Sequence, residues 1–204
     1  GRGIRILREK GLEVVAGVLR GECERQNEVF FHFMRTKLPF TVLKYAMTLD
    51  GKTATVSGKS QWITGEAARK RVHEDRGRYM AILTGVSTVL ADNPQLTCRI
   101  PGGKNPIRVI ADTKLRTPLS STVVQTARET PTWIVTAVSD AGRKKAYEDA
   151  DCRVLSVPAK EGELDLQAMM QRLGEEKVDS VMVESGGTLA WSFLKAGLVN
   201  RVQA

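Results

Sequence analysis

Apolar positions recur along the chain at two spacings. Between residues 22 and 35, Cys23, Asn27, Phe30, Phe31 and Met34 share one face at helical spacing. The pattern predicts one helix over Glu22–Arg35, which Pro39 prevents from continuing. Ahead of it, Ile4–Lys10 predicts a short helix stopped by Gly11, and Val14-Val15 a brief strand. From Phe40 onward, short β-branched runs alternate with helical patterns. Strands are expected at Thr41–Tyr45, Met80–Thr84, Ile107–Ala111, Trp133–Val138, Arg153–Val157 and Ser180–Val183. Helices are expected from an N-cap at Thr64 to about Arg76, over Ala141–Asp149, over Leu164–Glu176 with Leu166, Met169, Met170 and Leu173 inward, and from the Gly186 region to Gly197. Gly85 opens a short helical turn that stops before Pro94, and Val202-Gln203-Ala204 reads as the start of a further strand. Strands that are apolar throughout and separated by helices predict an α/β fold: a mostly parallel central sheet with helices on both faces. The change of regime at residues 37–40 divides the chain into 1–38 and 39–204.

Composition narrows the class. With 204 residues, 42% of them hydrophobic, the chain can bury one sizeable core with a small extra piece. That excludes a disordered, collagen-like or disulfide-framework chain. No apolar run approaches the roughly 18 residues of a membrane-spanning helix, and Gly1-Arg2-Gly3 lacks both a signal segment and an initiator Met. The expectation is a cytoplasmic protein whose sequence starts partway, with no membrane partner. The net charge of +8, from 31 Lys and Arg against 23 Asp and Glu, favours anionic partners. Because the basic residues are dispersed, a phosphorylated small molecule is expected rather than nucleic acid. Cys23, Cys98 and Cys152 show no C-x-x-C spacing and have only His32 and His73 as nitrogen partners. No metal site is expected, and the thiols read as reduced and structural.

The most informative segment for chemistry is Glu184–Ser192, E-S-G-G-T-L-A-W-S. A strand delivers it to the carboxyl edge of a parallel sheet, where ligands bind. Gly186 and Gly187 allow close approach to the backbone, and the next helix turn offers free amides that suit a phosphate. An ordinary glycine-rich βα turn has the same spacing. The segment is not G-x-G-x-x-G, so a standard Rossmann fold is unsupported. Gly58-Lys59-Ser60 resembles the tail of a P-loop, but Thr53 stands where the first glycine belongs. No G-x-S-x-G elbow or Ser/His/Asp triad is present, and the two histidines read as packing or surface residues. Lys44, in an otherwise apolar strand, is either at an edge or held for chemistry. Asp50 and Asp92 sit in turn sequences that Asp closes through its own side chain. Arg76 and Arg99 are candidates for bidentate phosphate contacts.

Five segments together carry a resemblance: L-K-Y-A-M-T-L-D-G-K-T-A (43–54), S-G-K-S-Q-W-I-T (57–64), A-I-L-T-G-V-S-T-V-L-A-D-N-P-Q-L-T-C-R (81–99), P-I-R-V-I-A-D (106–112) and V-E-S-G-G-T-L (183–189). In this order they resemble the reductase domain of the bifunctional riboflavin-biosynthesis deaminase/reductase family. G-V-L-R-G-E-C-E-R-Q-N-E-V-F-F (17–31) resembles the end of that family's cytidine-deaminase-like domain, whose zinc motif is absent here, so zinc is expected only with the missing deaminase body. The resemblance implies a dihydrofolate-reductase-like fold lacking its C-terminal strands, NADPH as cofactor, and reduction of 5-amino-6-(5-phosphoribosylamino)uracil to the ribitylamino compound. It also implies residue roles. Ala46, Trp62, Thr88, Asp92, Thr113 and the loop Gly186, Gly187, Thr188, Leu189, Ala190, Trp191 and Ser192 match cofactor contacts. Ser60, Arg76, Leu96, Arg99 and Glu184 match substrate contacts, with the arginines and Ser60 on the phosphate. Lys44, Asp92 and Glu184 are the expected catalytic groups. A sheet edge left unprotected implies a homo-oligomer through the reductase domain. Two other readings fit: a stand-alone pyrimidine- or pteridine-type reductase of the same fold, against which the deaminase-like tail argues, and a non-catalytic phosphate- or nucleic-acid-binding module.

Overall fold

The computed structural model describes residues 1–58, 60 and 62–204. Helices α1 (Arg2–Glu9), α2 (Arg20–Gln26) and α3 (Glu28–Thr36) open the chain and bury no residue. The single helix expected over residues 22–35 is therefore two. Asn27 breaks it, leaving helical geometry at φ −111°, ψ 28° while its Nδ2 donates to the Cys23 carbonyl at 3.0 Å. Val14-Val15 forms no strand: no neighbour pairs with it among the described residues, and the Val14 carbonyl instead accepts from the Arg8 guanidinium at 2.9 Å.

From residue 40 the elements are β1 (Phe40–Lys44), α4 (Glu66–Arg78), β2 (Ala81–Gly85), α5 (Val86–Asp92), β3 (Ile107–Ala111), α6 (Thr122–Gln125), β4 (Thr132–Thr136), α7 (Ala141–Glu148), β5 (Arg153–Ser156), β6 (Ala159–Lys160), β7 (Glu163–Leu164), α8 (Leu166–Glu175), β8 (Ser180–Glu184), α9 (Gly187–Lys195) and β9 (Arg201–Gln203). Seven strands form one sheet in the order β5-β4-β3-β2-β8-β1-β9, and every neighbouring pair is parallel. Some boundaries differ from the sequence reading. The N-cap of α4 is Gly65, not Thr64, whose carbonyl accepts from Arg69 Nη1 at 2.7 Å. Helix α8 starts at Leu166 because the Asp165 carboxylate caps the Ala168 amide at 3.0 Å, and Leu164 belongs instead to an antiparallel β6–β7 hairpin.

Successive strand residues face opposite sides of the sheet. Leu83, Val109 and Val135 pack beneath α8 and α9 with Met169, Leu173 and Phe193, while Ile82, Ile110 and Ile134 pack beneath α5–α7 with Val89, Val123 and Tyr147. All these residues lie at or near zero exposure, which is why the strands read as continuous apolar runs. Strand β8 inserts between β1 and β2, so the last strand to enter the centre sits between the first two. Sheet order reverses there, and ligands in open parallel sheets bind at that kind of position.

Candidate active site

The carboxyl ends of β1 and β8 lie in register, with Lys44 opposite Glu184. Beyond them the turn Glu184-Ser185-Gly186 stands between two cavities. The first, of about 1040 Å³, is lined by Lys44, Ala46, Ser60, Trp62, Arg76, Arg99 and Glu184, which brings together residues expected for substrate, cofactor and catalysis. The second, of about 350 Å³, is lined by Gly85, Thr88, Thr113, Arg116, Glu163, Gly186, Thr188, Leu189 and Ser192, and collects half of the expected cofactor residues. Ala46 and Trp62, expected in the same group, line the first cavity instead.

In the first cavity Arg76 is fully engaged. Its Nε and Nη2 donate to the two Glu184 oxygens at 2.9 and 2.8 Å, and its Nη1 donates to the Thr97 carbonyl at 3.1 Å. Both side chains are nearly buried, so the charges balance each other in a partly dry setting. Arg99 is exposed and in no ion pair among the described residues, leaving its charge open to the cavity. The Arg69 guanidinium lies 4.6 Å from the Trp62 ring centroid, a cation–π contact that braces an indole otherwise exposed.

The second cavity fits a phosphate-bearing dinucleotide on three observations. Helix α9 has no side-chain cap at its N-terminus, so its first amides are free to bind an anion. A Cβ built on Gly186 or Gly187 meets no atom within 4 Å, so the packing of the protein does not require glycine at either position. Ser185 Oγ and Thr84 Oγ1, at the ends of β8 and β2, are buried with no hydrogen-bond partner among the described residues. On the neighbouring strand, the buried Asp112 carboxylate accepts from Thr117 N and Oγ1, both at 2.7 Å, and this locks the turn that presents Thr113. Thr113 Oγ1 in turn donates to Glu163 at 3.3 Å.

Other expected site residues line neither cavity. Asp92 is exposed at the end of α5. The Leu96 side chain is buried in the core with Ile82 and Ile110, its backbone at φ 55°. Gly187, Ala190 and Trp191 belong to α9 away from the cavity walls, with the Trp191 ring largely exposed. Asp50 closes its turn through a bond from the Thr48 hydroxyl. Lys59, in the P-loop-like stretch, lies outside the described residues.

Two contributors escaped the sequence reading. His73 lines the first cavity one helical turn before Arg76; the spacing of three on one helix was the available signal. Arg108 is fully buried and in no ion pair among the described residues, and burial lowers its pKa to about 10. Its Nη1 donates to the Gln95 carbonyl at 3.1 Å and Thr126 Oγ1 at 2.8 Å. Its Nη2 donates to the carbonyls of Val123, Thr126 and Thr130 at 2.8–3.0 Å. Arg108 thereby fastens the Gln95–Arg99 segment to the sheet. The cysteines are free, and burial pushes the Cys152 thiol up to about 11. Among the described residues, no group of three or more His, Cys, Asp or Glu could hold a metal, and no helix is long and apolar enough to cross a membrane.

The sequence model of the RibD C-terminal domain matches residues 39–204. The riboflavin biosynthesis protein RibD of Actinobacillus pleuropneumoniae is 48% identical over 202 residues, and that of Escherichia coli 37% identical over 215; each match covers 99% of this chain. The chain spans about half the length of these relatives: 54% and 57%. Among solved structures, Acinetobacter baumannii RibD superposes with a TM-score of 0.82 at 31% identity, covering 99% of this chain and 55% of that one. A diaminohydroxyphosphoribosylaminopyrimidine deaminase/5-amino-6-(5-phosphoribosylamino)uracil reductase from Thermotoga maritima gives 0.79 at 36% identity, covering 96% and 53%. The parallel seven-stranded sheet flanked by helices is the dihydrofolate-reductase-like fold of these relatives. With most of its length matched and every expected strand from β1 to β8 in place, the chain belongs to the RibD C-terminal domain family.

Proposed function

We propose that this chain is the reductase of riboflavin biosynthesis, reducing the ribosyl group of 5-amino-6-(5-phosphoribosylamino)uracil to the ribitylamino product with NADPH. One observation carries the reading: Glu184 and Gly186, two residues apart, face different cavities across a single turn. A cation-lined cavity for a phosphorylated sugar and an anion-binding helix terminus for a dinucleotide therefore meet at one place.

The second cavity would take the cofactor through Thr88, Thr113, Gly186, Thr188, Leu189 and Ser192, with Ala46 and Trp62 meeting it from the first cavity. When bound there, reduced nicotinamide supplies a hydride. Arg99 and Ser60 hold the substrate's 5-phosphate, Leu96 contributes through its backbone, and Glu184 accepts from the pyrimidine or sugar. Arg76 serves by holding Glu184, since its own charge is already balanced. The ribosylamine opens to an imine as O4′ gains a proton. C1′ would then accept the hydride and the imine nitrogen a proton, with Lys44, on the wall of the first cavity, as the group placed to move protons there; Asp92, at the exposed end of α5, lines neither cavity.

We read residues 1–38 as the end of a deaminase domain that holds the zinc and deaminates the precursor in the longer protein. Several exposed apolar side chains there, among them Ile6, Leu7, Val15 and Phe30, support that reading. The test is isotopic. NADPH deuterated at C4 and the ribosylaminouracil phosphate are incubated with the chain, and one deuterium at C1′ of a ribitylamino product is expected. Label in solvent, or salt-sensitive capture of single-stranded nucleic acid with no turnover, would contradict the assignment.

A further inference from the structure

The proposed phosphate ligand, Arg99, projects from a loop and has no carboxylate partner among the described residues, so its orientation needs another cause. His73 supplies one. Its Nδ1 lies 3.2 Å from the Thr97 carbonyl and its Nε2 3.4 Å from Arg99 Nη2. A neutral imidazole has one donor and one acceptor nitrogen. With the proton on Nδ1, the ring donates to Thr97 and accepts from the Arg99 guanidinium, satisfying both contacts. With the proton on Nε2, it satisfies only the Arg99 amide, 3.3 Å from Nδ1, and turns an N–H against a cation. The same Thr97 carbonyl accepts from Arg76, three residues along α4, so one helix turn grips the loop at a single oxygen.

We propose that His73 is a positioning residue: a neutral, Nδ1-protonated imidazole that holds the Arg99 guanidinium toward the phosphate of the substrate. Burial and the nearby Arg76 and Arg99 charges hold its pKa below the usual histidine range, which favours the neutral ring this role requires. The kinetic part rests on the reductase reading; the tautomer part does not.

Two measurements test it. In ¹⁵N NMR of the chain, which has only two histidines, His73 is expected to show a protonated Nδ1 and a bare Nε2. In steady-state kinetics, His73→Phe keeps the ring but removes the acceptor, and should raise KM for the phosphorylated substrate about tenfold with kcat little changed. His73→Gln places an amide oxygen where Nε2 stood and should bring KM back to within about threefold. His73→Asn, which reaches only the Nδ1 place, should behave like Phe. Phe, Gln and Asn variants with equal KM, or a loss carried by kcat alone, would overturn the proposal. So would a bare Nδ1 in the unaltered chain, whatever the kinetics. A chain with the Nδ1–H tautomer but no turnover would support the geometry and overturn only the reductase reading.

Discussion

The guanidinium of Arg76 meets the carboxylate of Glu184 at two points, 2.9 and 2.8 Å apart, although the residues are separated by 108 positions in the chain. The pair ties α4 to the end of the central strand β8, and it fixes one of the two carboxylates that line the first cavity, the other being Glu66. Glu184→Gln keeps the shape but removes the charge that balances Arg76. We expect a loss of about 1.5–3 kcal/mol in stability by denaturant titration, together with lower turnover. NADPH affinity should remain near that of the unaltered chain, because Gly186 and the α9 amides are untouched. A loss confined to NADPH binding would move Glu184 into the cofactor site.

Arg99 provides the contrast. It is exposed and, among the described residues, bonded only to His73, so Arg99→Ala should leave the melting temperature unchanged. Loss of a charge-assisted phosphate contact should cut kcat/KM for the phosphorylated substrate about tenfold to a hundredfold. Unchanged kcat/KM would remove Arg99 from the phosphate site.

Gly186 separates the needs of folding from those of binding. A Cβ there meets no atom within 4 Å among the described residues, and its φ of −64° suits any residue. Gly186→Ala should therefore fold with stability unaltered. Its methyl group would stand where a phosphate approaches the backbone, and NADPH affinity, followed by calorimetry, should fall about tenfold. Unaltered affinity would place the cofactor elsewhere.

Arg108 tests whether the substrate loop hangs from the core. Arg108→Met preserves bulk but removes a donor from five acceptors, of which the Val123, Thr126 and Thr130 carbonyls keep other donors and the Gln95 carbonyl and Thr126 Oγ1 lose their bond to the guanidinium. Stability should fall by about 3 kcal/mol or more. If the variant is instead as stable as the parent, the buried guanidinium is not the fastening it resembles.

The sheet was legible because its strands are buried on both faces and read as unbroken apolar runs, as at Val181–Val183 and Val109–Ala111. The β6–β7 hairpin was not: strands of two residues leave no periodicity to read. Asn27 broke a continuous helical pattern through its own side-chain bond to the Cys23 carbonyl, a local competition that spacing does not reveal. At the site, residue identity and resemblance pointed to Arg76, Arg99 and Glu184. That Arg76 is taken by Glu184, leaving Arg99 open and dependent on His73, is a fact of tertiary geometry between α4, β8 and the 95–99 loop. No spacing along the chain encodes it.

The central claim is that the turn from Glu184 to Gly186 brings a dinucleotide and a phosphorylated sugar face to face. A crystal structure of the chain with reduced dinucleotide and substrate bound measures it directly. The account predicts phosphate density on the first amides of α9, the sugar phosphate on Arg99, and the nicotinamide ring beside C1′ above Ser185. A dinucleotide lying elsewhere, with the amides of residues 187–189 facing only solvent, would contradict it.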